Sequence, residues 1–453
     1  MRRDIINKIY KDLFKVVMPI SFQYLMMSLV SASDAFMLGF LDKDSLSSVS
    51  LATQIAFVYS LFFGAFIGGC TVIAAQYWGK GDKDTVREVL AVAMRYTLLV
   101  GLIFTVATFA VPTYIMRIFT TDPILIEGGA KYLRMVSLSY IIGGFAQVYF
   151  GILKVCDRAG LSSLIGSLSV ILNIILNACL IFGLSIFPKM GIEGAALATV
   201  IARIFESAFV IILVAMGKCV SLDIKKMLLP TICSKTLHKD YIKYTTPVLL
   251  NQLGWGGGVT MYSVIMGRLG SDAVAANSIA SIVRSMVASF CWGISSGVGI
   301  VLGQMLGKNE LDAAKKAGGS FVRFSIWVGI GSGLVILALT PLIMRFVNLG
   351  EVAHHYLFVM MLYAAYYIIG NSLNSTIIAG IFPAGGDTKF GMYCDIITLW
   401  VVVVPMGMIA AFVLKLPVLA VAFILTLDEF VKIPAVYKHY VKYKWVKNIT
   451  REA

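Results

Sequence analysis

The amino-acid sequence predicts an all-α membrane protein with twelve transmembrane helices, arranged as two six-helix lobes related as parallel repeats. Three observations carry this prediction. Of the 453 residues, 59% are hydrophobic and 14% are charged, against about 25% charged in a soluble domain. The apolar residues fall in unbroken runs of about 20 or more, the length that crosses a bilayer core. The two halves of the chain also match one another at fixed spacing, in residues that apolar composition alone does not dictate.

Apolar runs and the punctuation between them place the spans at roughly 15–39, 48–76, 88–114, 129–152, 161–187, 191–216, 242–267, 274–306, 314–342, 352–380, 388–413 and 417–436. Clusters of Gly, Asp, Asn and Lys mark the junctions, as in Gly79-Lys80-Gly81-Asp82 and Gly307-Lys308-Asn309-Glu310. The longest connection carries Lys218, Lys225, Lys226, Lys235 and Lys239. The expected organisation is an N-terminal lobe at 1–216, a cytoplasmic linker at 217–241, and a C-terminal lobe at 242–453 that ends in a basic tail.

One constant offset aligns Pro19 with Pro247, Gly39 with Gly267, Asp44 with Asp272, Gly69 with Gly297 and Gln76 with Gln304. It continues without gaps through Gly79 and Gly307, Lys80 and Lys308, Asp84 and Asp312, and Arg95 and Arg323. A slightly smaller offset then sets Ala159-Gly160 against Gly385-Gly386. Six spans is an even number, so both halves start on the same side of the membrane and the repeats are parallel. Such repeats are related by an axis along the membrane normal, with a substrate path expected between the lobes near the midplane.

The net charge of +14 would suggest nucleic acid in a soluble protein. Here most of the 38 Lys and Arg residues fall in loops on the side of the N-terminus. The positive-inside rule therefore places both termini in the cytoplasm and excludes a nucleic-acid partner. The seven cysteines show no CxxC pair and no paired spacing, so neither a disulfide frame nor a metal site is expected. The first apolar run continues past any small-residue cleavage site, so no cleavable signal peptide is expected. No GxxxxGK[ST] loop occurs, which leaves an ion gradient or downhill flow as the driving force. The four histidines lie in loops or at helix ends with no evident acid or nucleophile, and no catalytic constellation is expected.

Asp34 is the most informative residue. It lies inside the first span with no basic residue within a turn or two. An ionised carboxylate there costs about 2.5–3.5 kcal/mol on insertion scales, so it faces a wet cavity, binds a cation, takes a proton, or is hydrogen-bonded to neighbouring helices. Its repeat partner is Tyr262, which gives the acid to the N-terminal lobe alone. Asn173 and Asn177 are four apart on span five and share one helix face. Two amides there either complete an oxygen cage around a hard cation or join helices by hydrogen bonds. Thr199 on span six adds a hydroxyl. With Asp34, these residues form the candidate cation-coupling set.

The C-terminal half supplies candidates for a substrate path: Tyr262, Asn251, Gln252, Trp255, Arg284, Asp395 and Asp428. Asp428 and Lys432 are i,i+4 and favour a plain ion pair, as do Arg203 and Glu206 at i,i+3. Arg284 has no sequence-local partner, which leaves an acid such as Asp395 or Asp428 across the lobe, or an anionic ligand. Span seven holds Gly254-Trp255-Gly256-Gly257-Gly258, a stretch that reads either as a hinge or as a close-packing surface. The 21 Met, 27 Phe and 20 Tyr suit an adaptable apolar pocket as well as a core.

The order of motifs resembles the MATE (multidrug and toxic compound extrusion) family over nearly the whole chain. The features that carry the resemblance are Met18-Pro19 with Asp34 and Gly39, then Gln76-Tyr77-Trp78-Gly79. The second half repeats them as Thr246-Pro247, Gly267 and Gly303-Gln304-Met305-Leu306-Gly307. Ala384-Gly385-Gly386-Asp387-Thr388 is similar to the family's Gly-Asp-Thr loop, and the ending from Asp428 to Lys444-Trp445 is also family-like. The resemblance implies efflux of small amphipathic, often cationic compounds, coupled to H+ or Na+ and driven by alternating access. It implies no cofactor, a monomer in contact with membrane lipids, and the plasma membrane (the bacterial inner membrane) as location. By it, Asp34 matches the first-span acid assigned to coupling and Asn173 a cation-site amide, with Na+ at Asp34, Asn173 and Asn177 as the alternative to a proton. The chain departs at Asn177, where related members often carry Asp, and span seven, at 244–267, contains no Asp or Glu. A flippase for lipid-linked saccharides or another anionic lipid precursor, with Arg203 and Arg284 holding a pyrophosphate, is the alternative within the wider superfamily.

Overall fold

The computed structural model describes residues 2–184, 186–217, 220–222, 226–227, 234–347 and 349–451, with side chains outside 2–12, 31, 32 and 35. Lys218 and Lys225 of the expected linker, and Cys219 and Cys233, lie outside the described residues. The helices are α1 (Arg2–Gly39), α2 (Lys43–Lys80), α3 (Lys83–Ala110), α4 (Pro112–Arg117), α5 (Pro123–Val136), α6 (Leu138–Val155), α7 (Ala159–Phe182) and α8 (Ile192–Ala215). They continue with α9 (Lys235–Gly267), α10 (Ser271–Gly307) and α11 (Leu311–Phe346), then α12 (Glu351–Ala384) and α13 (Thr388–Val413). The last two are α14 (Val418–Leu425) and α15 (Asp428–Tyr440).

Among the described residues, 10 helices are long and apolar enough to cross a membrane. Span seven corresponds to α9, which is long but carries Asn251, Gln252 and four glycines in its middle. Span twelve is the larger departure from expectation. It is two short helices, α14 and α15, broken at Thr426-Leu427, where the Thr426 hydroxyl turns back to the Phe423 carbonyl at 2.7 Å. The break puts Asp428 and Glu429 in the first turn of α15, the end of a helix that favours negative charge. Span four likewise divides into α5 and α6 at Ser137, whose carbonyl accepts a hydrogen bond from Thr105 at 3.0 Å.

Side-chain caps explain where the helices begin. Asp42 accepts from the Ser45 backbone N–H and hydroxyl, both at 2.6 Å, and starts α2. Asp82 accepts from the Thr85 N–H at 3.0 Å and hydroxyl at 2.6 Å, and starts α3. The Ser45 bonds hold the Asp42 carboxyl below the usual carboxylate range. The cap therefore stabilises the fold above that range and is lost as pH falls through the depressed value. Asp42→Ala is expected to lower stability by about 1 kcal/mol at neutral pH. Its melting difference from wild type should disappear in acid, and a difference that persists there would exclude the cap as its source.

The repeat is visible in the backbone. Gly81 and Asn309 both take left-handed conformations, at φ 88° and 63°. The same hydrogen bonds close both turns, with Asp82 N–H to Tyr77 O and Glu310 N–H to Met305 O each at 3.0 Å. The later register needs correction. Asp157 and Gly386 are the next left-handed pair, and Arg158 N–H to Leu153 O matches Asp387 N–H to Phe382 O. Ala159 thus corresponds to Thr388, the residue that starts α13, rather than to Gly385. Turn geometry fixes the alignment there, and the match of Gly160 with Gly386 is coincidental.

The chain divides into two compact units, one of Met26–Leu249 and one of Met1–Leu25 with Leu250–Ala453. The first has a core of Leu38, Val49, Tyr59, Leu133, Tyr140 and Ile181. Within it α7 and α8 approach closely, because a Cβ at Gly194 would come within 2.6 Å of the Leu180 carbonyl oxygen. The core of the second includes Ile265, Cys291, Leu357, Met361, Val403 and Val421. Its tail folds back to bury Trp445 fully, stacked on Tyr440.

Candidate functional site

Within the unit Met26–Leu249, Asp34 of α1 is half-buried and meets α7 directly. The Asn177 amide donates to Asp34 Oδ1 at 2.5 Å and to Asn173 Oδ1 at 3.3 Å. The i,i+4 spacing of the two amides puts them on the face that meets the acid. Asn177 is fully buried, and its own Oδ1 has no hydrogen-bond partner among the described residues. Thr199 of α8 gives its hydroxyl to the Ala195 carbonyl at 3.1 Å, the usual local bond of a helical threonine. The structure thus joins Asp34, Asn173 and Asn177 in one hydrogen-bonded chain.

Three residues that sequence reading did not place there complete the surroundings. Tyr132 of α5 and the Arg203 guanidinium of α8 lie within electrostatic reach of Asp34, and Tyr132 also lies beside Thr199. Tyr59 of α2 donates to the Tyr140 carbonyl at 2.7 Å and stands near Arg203. Gly143 of α6 makes room for the arginine, since a Cβ there would come within 3.0 Å of its Cδ. The expected Arg203–Glu206 pair forms at 2.8 Å, with Gln147 as a third member at 3.3 Å. No local sequence signal ties Tyr59, Tyr132 or Arg203 to Asp34, because each comes from a different helix.

In the other unit the candidates group differently. Lys432 pairs with Asp395 at 2.9 Å and with Glu429 at 3.0 Å, so the expected Asp428–Lys432 pair does not form. Glu429, three positions before the lysine in the same helix, takes the neighbouring place instead. Glu429 also accepts from Asn371 at 2.9 Å, Asn374 at 2.8 Å and Tyr367 at 3.3 Å. The sequence carried a signal for those two amides in their i,i+3 spacing on one face of α12. Arg284 meets neither Asp395 nor Asp428. It lies over the Tyr367 ring at 5.0 Å and donates to the Ser281 hydroxyl at 3.4 Å. Arg203 is neutralised by Glu206, whereas Arg284 has no carboxylate partner among the described residues.

Asn251 and Gln252 are half-buried and make no side-chain hydrogen bond among the described residues. Trp255 meets Trp292 edge-on at 6.0 Å. The glycine stretch of α9 is a packing surface. Cβ atoms at Gly254 and Gly257 would lie 2.9 Å from Ile396 and Trp400, and the Trp400 indole donates to the Gly254 carbonyl at 2.9 Å. The Tyr262 hydroxyl is buried and has no hydrogen-bond partner among the described residues. Among the histidines, His439 does meet an acid: it pairs with Asp387 at 2.6 Å and stacks on Phe390 at 3.6 Å, a latch near the end of α15.

Comparison with known proteins places this geometry in context. The family model MatE matches residues 19–179 and 247–409, one stretch in each half. An uncharacterised transporter, YisQ of Bacillus subtilis, is 23% identical over 444 residues, covering 96% of this chain and 95% of that one. A probable multidrug resistance protein, NorM of Thermotoga maritima, is 24% identical over 412 residues, covering 89% and 86%. A solved MOP superfamily transporter from Pyrococcus furiosus superposes with a TM-score of 0.87 at 17% identity, covering 96% of each chain. Matched in both halves and over its length, the chain belongs to the MATE family of membrane transporters.

Proposed function

We propose that this protein is a proton-coupled antiporter that exports small amphipathic organic cations by alternating access. In this reading it resides in the plasma membrane with both termini cytoplasmic, and its repeats form the lobes 1–216 and 242–453 around the linker 217–241. The observation that carries the proposal is the carboxylate Asp34, within the long first helix and bonded directly to Asn177. An amide suits both protonation states of an acid. It donates to the carboxylate through Nδ2, and after a flip it accepts from the carboxylic acid through Oδ1. Arg203 and Glu206 cancel one another nearby, which leaves Asp34 as the group whose charge changes. Proton binding shifts the population between states only if their proton affinities differ, and exposure of Asp34 on alternate sides provides that difference. The naming of NorM of Thermotoga maritima as a probable multidrug resistance protein agrees with the substrate class.

The test is export of a fluorescent cationic dye from proteoliposomes under an imposed proton or sodium gradient. Wild type should move dye uphill with a proton gradient alone, and Asp34→Asn should fall to the level of empty liposomes while eluting as a folded monomer. Uphill movement by Asp34→Asn would exclude the coupling role, and a requirement for sodium would reassign the ion.

A further inference from the structure

One end of the unit Met26–Leu249 carries a cleft of about 500 Å³ between the short helix α4 and the start of α5. Three cations line it, Arg117 from α4 and Lys131 and Arg134 from α5, against one carboxylate, Glu127. Lys131 takes that carboxylate at 2.8 Å, and Glu193 of α8 also lies within electrostatic reach of the lysine. The other acid of this stretch, Asp122, is spent on capping α5, where it accepts from the Ile124 N–H at 2.9 Å. Arg117 and Arg134 are exposed and have no carboxylate partner among the described residues. The cleft therefore holds their two positive charges unbalanced.

Local chemistry sets the walls. Pro112, at the first position of α4, turns the chain after α3. α4 then packs on α5 without a gap, since Met116 is fully buried and a Cβ at Gly129 would collide with its side chain. The surface beside the cations is apolar. The Arg117 guanidinium lies over the Tyr114 ring at 5.5 Å, and that ring is 68% exposed. Ile118 is 77% exposed, and Val111, Tyr114 and Ile118 follow the spacing of one helix face. Within the cleft, Ile126 and Ala130 add apolar lining and Thr113 and Thr121 supply hydroxyls.

A guanidinium binds phosphate through paired N–H donors. At a membrane interface, arginine keeps that head in the polar layer while its stem rests on apolar surface. A soluble anion would use the charges here and leave the apolar face to water, whereas a phospholipid uses both. On the topology proposed above, this end of α3 and α5 lies outside the cytoplasm, where Lys and Arg are scarce. Three of them in one cleft run against the charge bias of the chain. We propose that the cleft binds one anionic phospholipid, with its phosphate between Arg117 and Arg134 and its acyl chains over Val111, Tyr114 and Ile118. Only the leaflet that supplies the lipid rests on the proposed topology, and recognition needs the cleft alone.

The experiment is native mass spectrometry of the full-length protein, delipidated in detergent and titrated with phosphatidylglycerol or with phosphatidylcholine of the same chains. Wild type should bind its first phosphatidylglycerol more tightly than phosphatidylcholine, whose choline cancels the phosphate charge. Arg117→Gln with Arg134→Gln should weaken that first binding by about tenfold or more, the loss of one or two charge-assisted hydrogen bonds. Arg345→Gln, at an exposed cation of the other unit, should leave it unchanged. All three positions are exposed, and elution as a monodisperse monomer confirms the fold of each variant. An unchanged affinity in the double variant, an equal loss in Arg345→Gln, or no preference between the two lipids overturns the site. Displacement of the lipid by millimolar glycerol phosphate also overturns it, by showing that the cleft takes a free anion. The readout is lipid binding, so a failure of proton-coupled export at Asp34 leaves it unaffected.

Discussion

Lys432→Met is expected to lower the stability of the C-terminal unit by about 3–5 kcal/mol, the cost of removing one partner from a buried ion pair. The reason is geometric. The ammonium bridges Asp395 at 2.9 Å and Glu429 at 3.0 Å, and the Asp428 carboxyl lies within electrostatic reach. Methionine fills the same volume but leaves the carboxylates facing one another in a dry interior. Thermal unfolding in detergent, followed by loss of the monodisperse peak, reads this directly. Combining Lys432→Met with Asp395→Asn should recover a large part of the loss, because residues in one network are not additive. If the double variant is no more stable than the single, the pair is not what holds these helices.

Arg203→Met should have a comparable effect in the other unit, about 3–5 kcal/mol. Glu206 is 3% exposed and would keep only the Gln147 amide at 3.3 Å. Adding Glu206→Gln removes the stranded charge and should restore the melting temperature close to wild type. That double variant also separates two roles of the arginine. If Arg203 only neutralises Glu206, a restored fold exports normally, whereas if its charge near Asp34 matters, export stays impaired after stability returns.

Much of this architecture was legible in the chain. The apolar runs located most helices, and the repeat offset held through Asp312 because both turns need a left-handed residue, supplied by Gly81 and Asn309. Helical spacing was enough to set Asn173 and Asn177 on one face and to pair Arg203 with Glu206. The same rule misassigned Lys432. Spacings of three and four are both neighbours on a helix, and the lysine pairs with Glu429 at i,i+3 and with Asp395 from another helix. Partners from separate helices, such as Tyr132 beside Asp34 or Arg284 on Tyr367, leave no trace in local spacing. They depend on how helices pack, which the sequence encodes only through small residues such as Gly143 that permit close approach.

The membership of Met1–Leu25 in the later unit bears on how the protein is made. This segment leaves the ribosome well before α10, yet the Ser21 hydroxyl reaches the Phe290 carbonyl 269 positions further on. Gly293 and Gly297 of α10 also lie against Ser21 and Val17, with no room for a side chain at either glycine. Contacts that distant in sequence form late and slowly. The start of α1 must therefore wait in the bilayer, its packing face unfilled, until α10 has been synthesised. During that interval the nascent chain is open to wrong helix pairings, and truncated products that stop before α10 would never bury this segment.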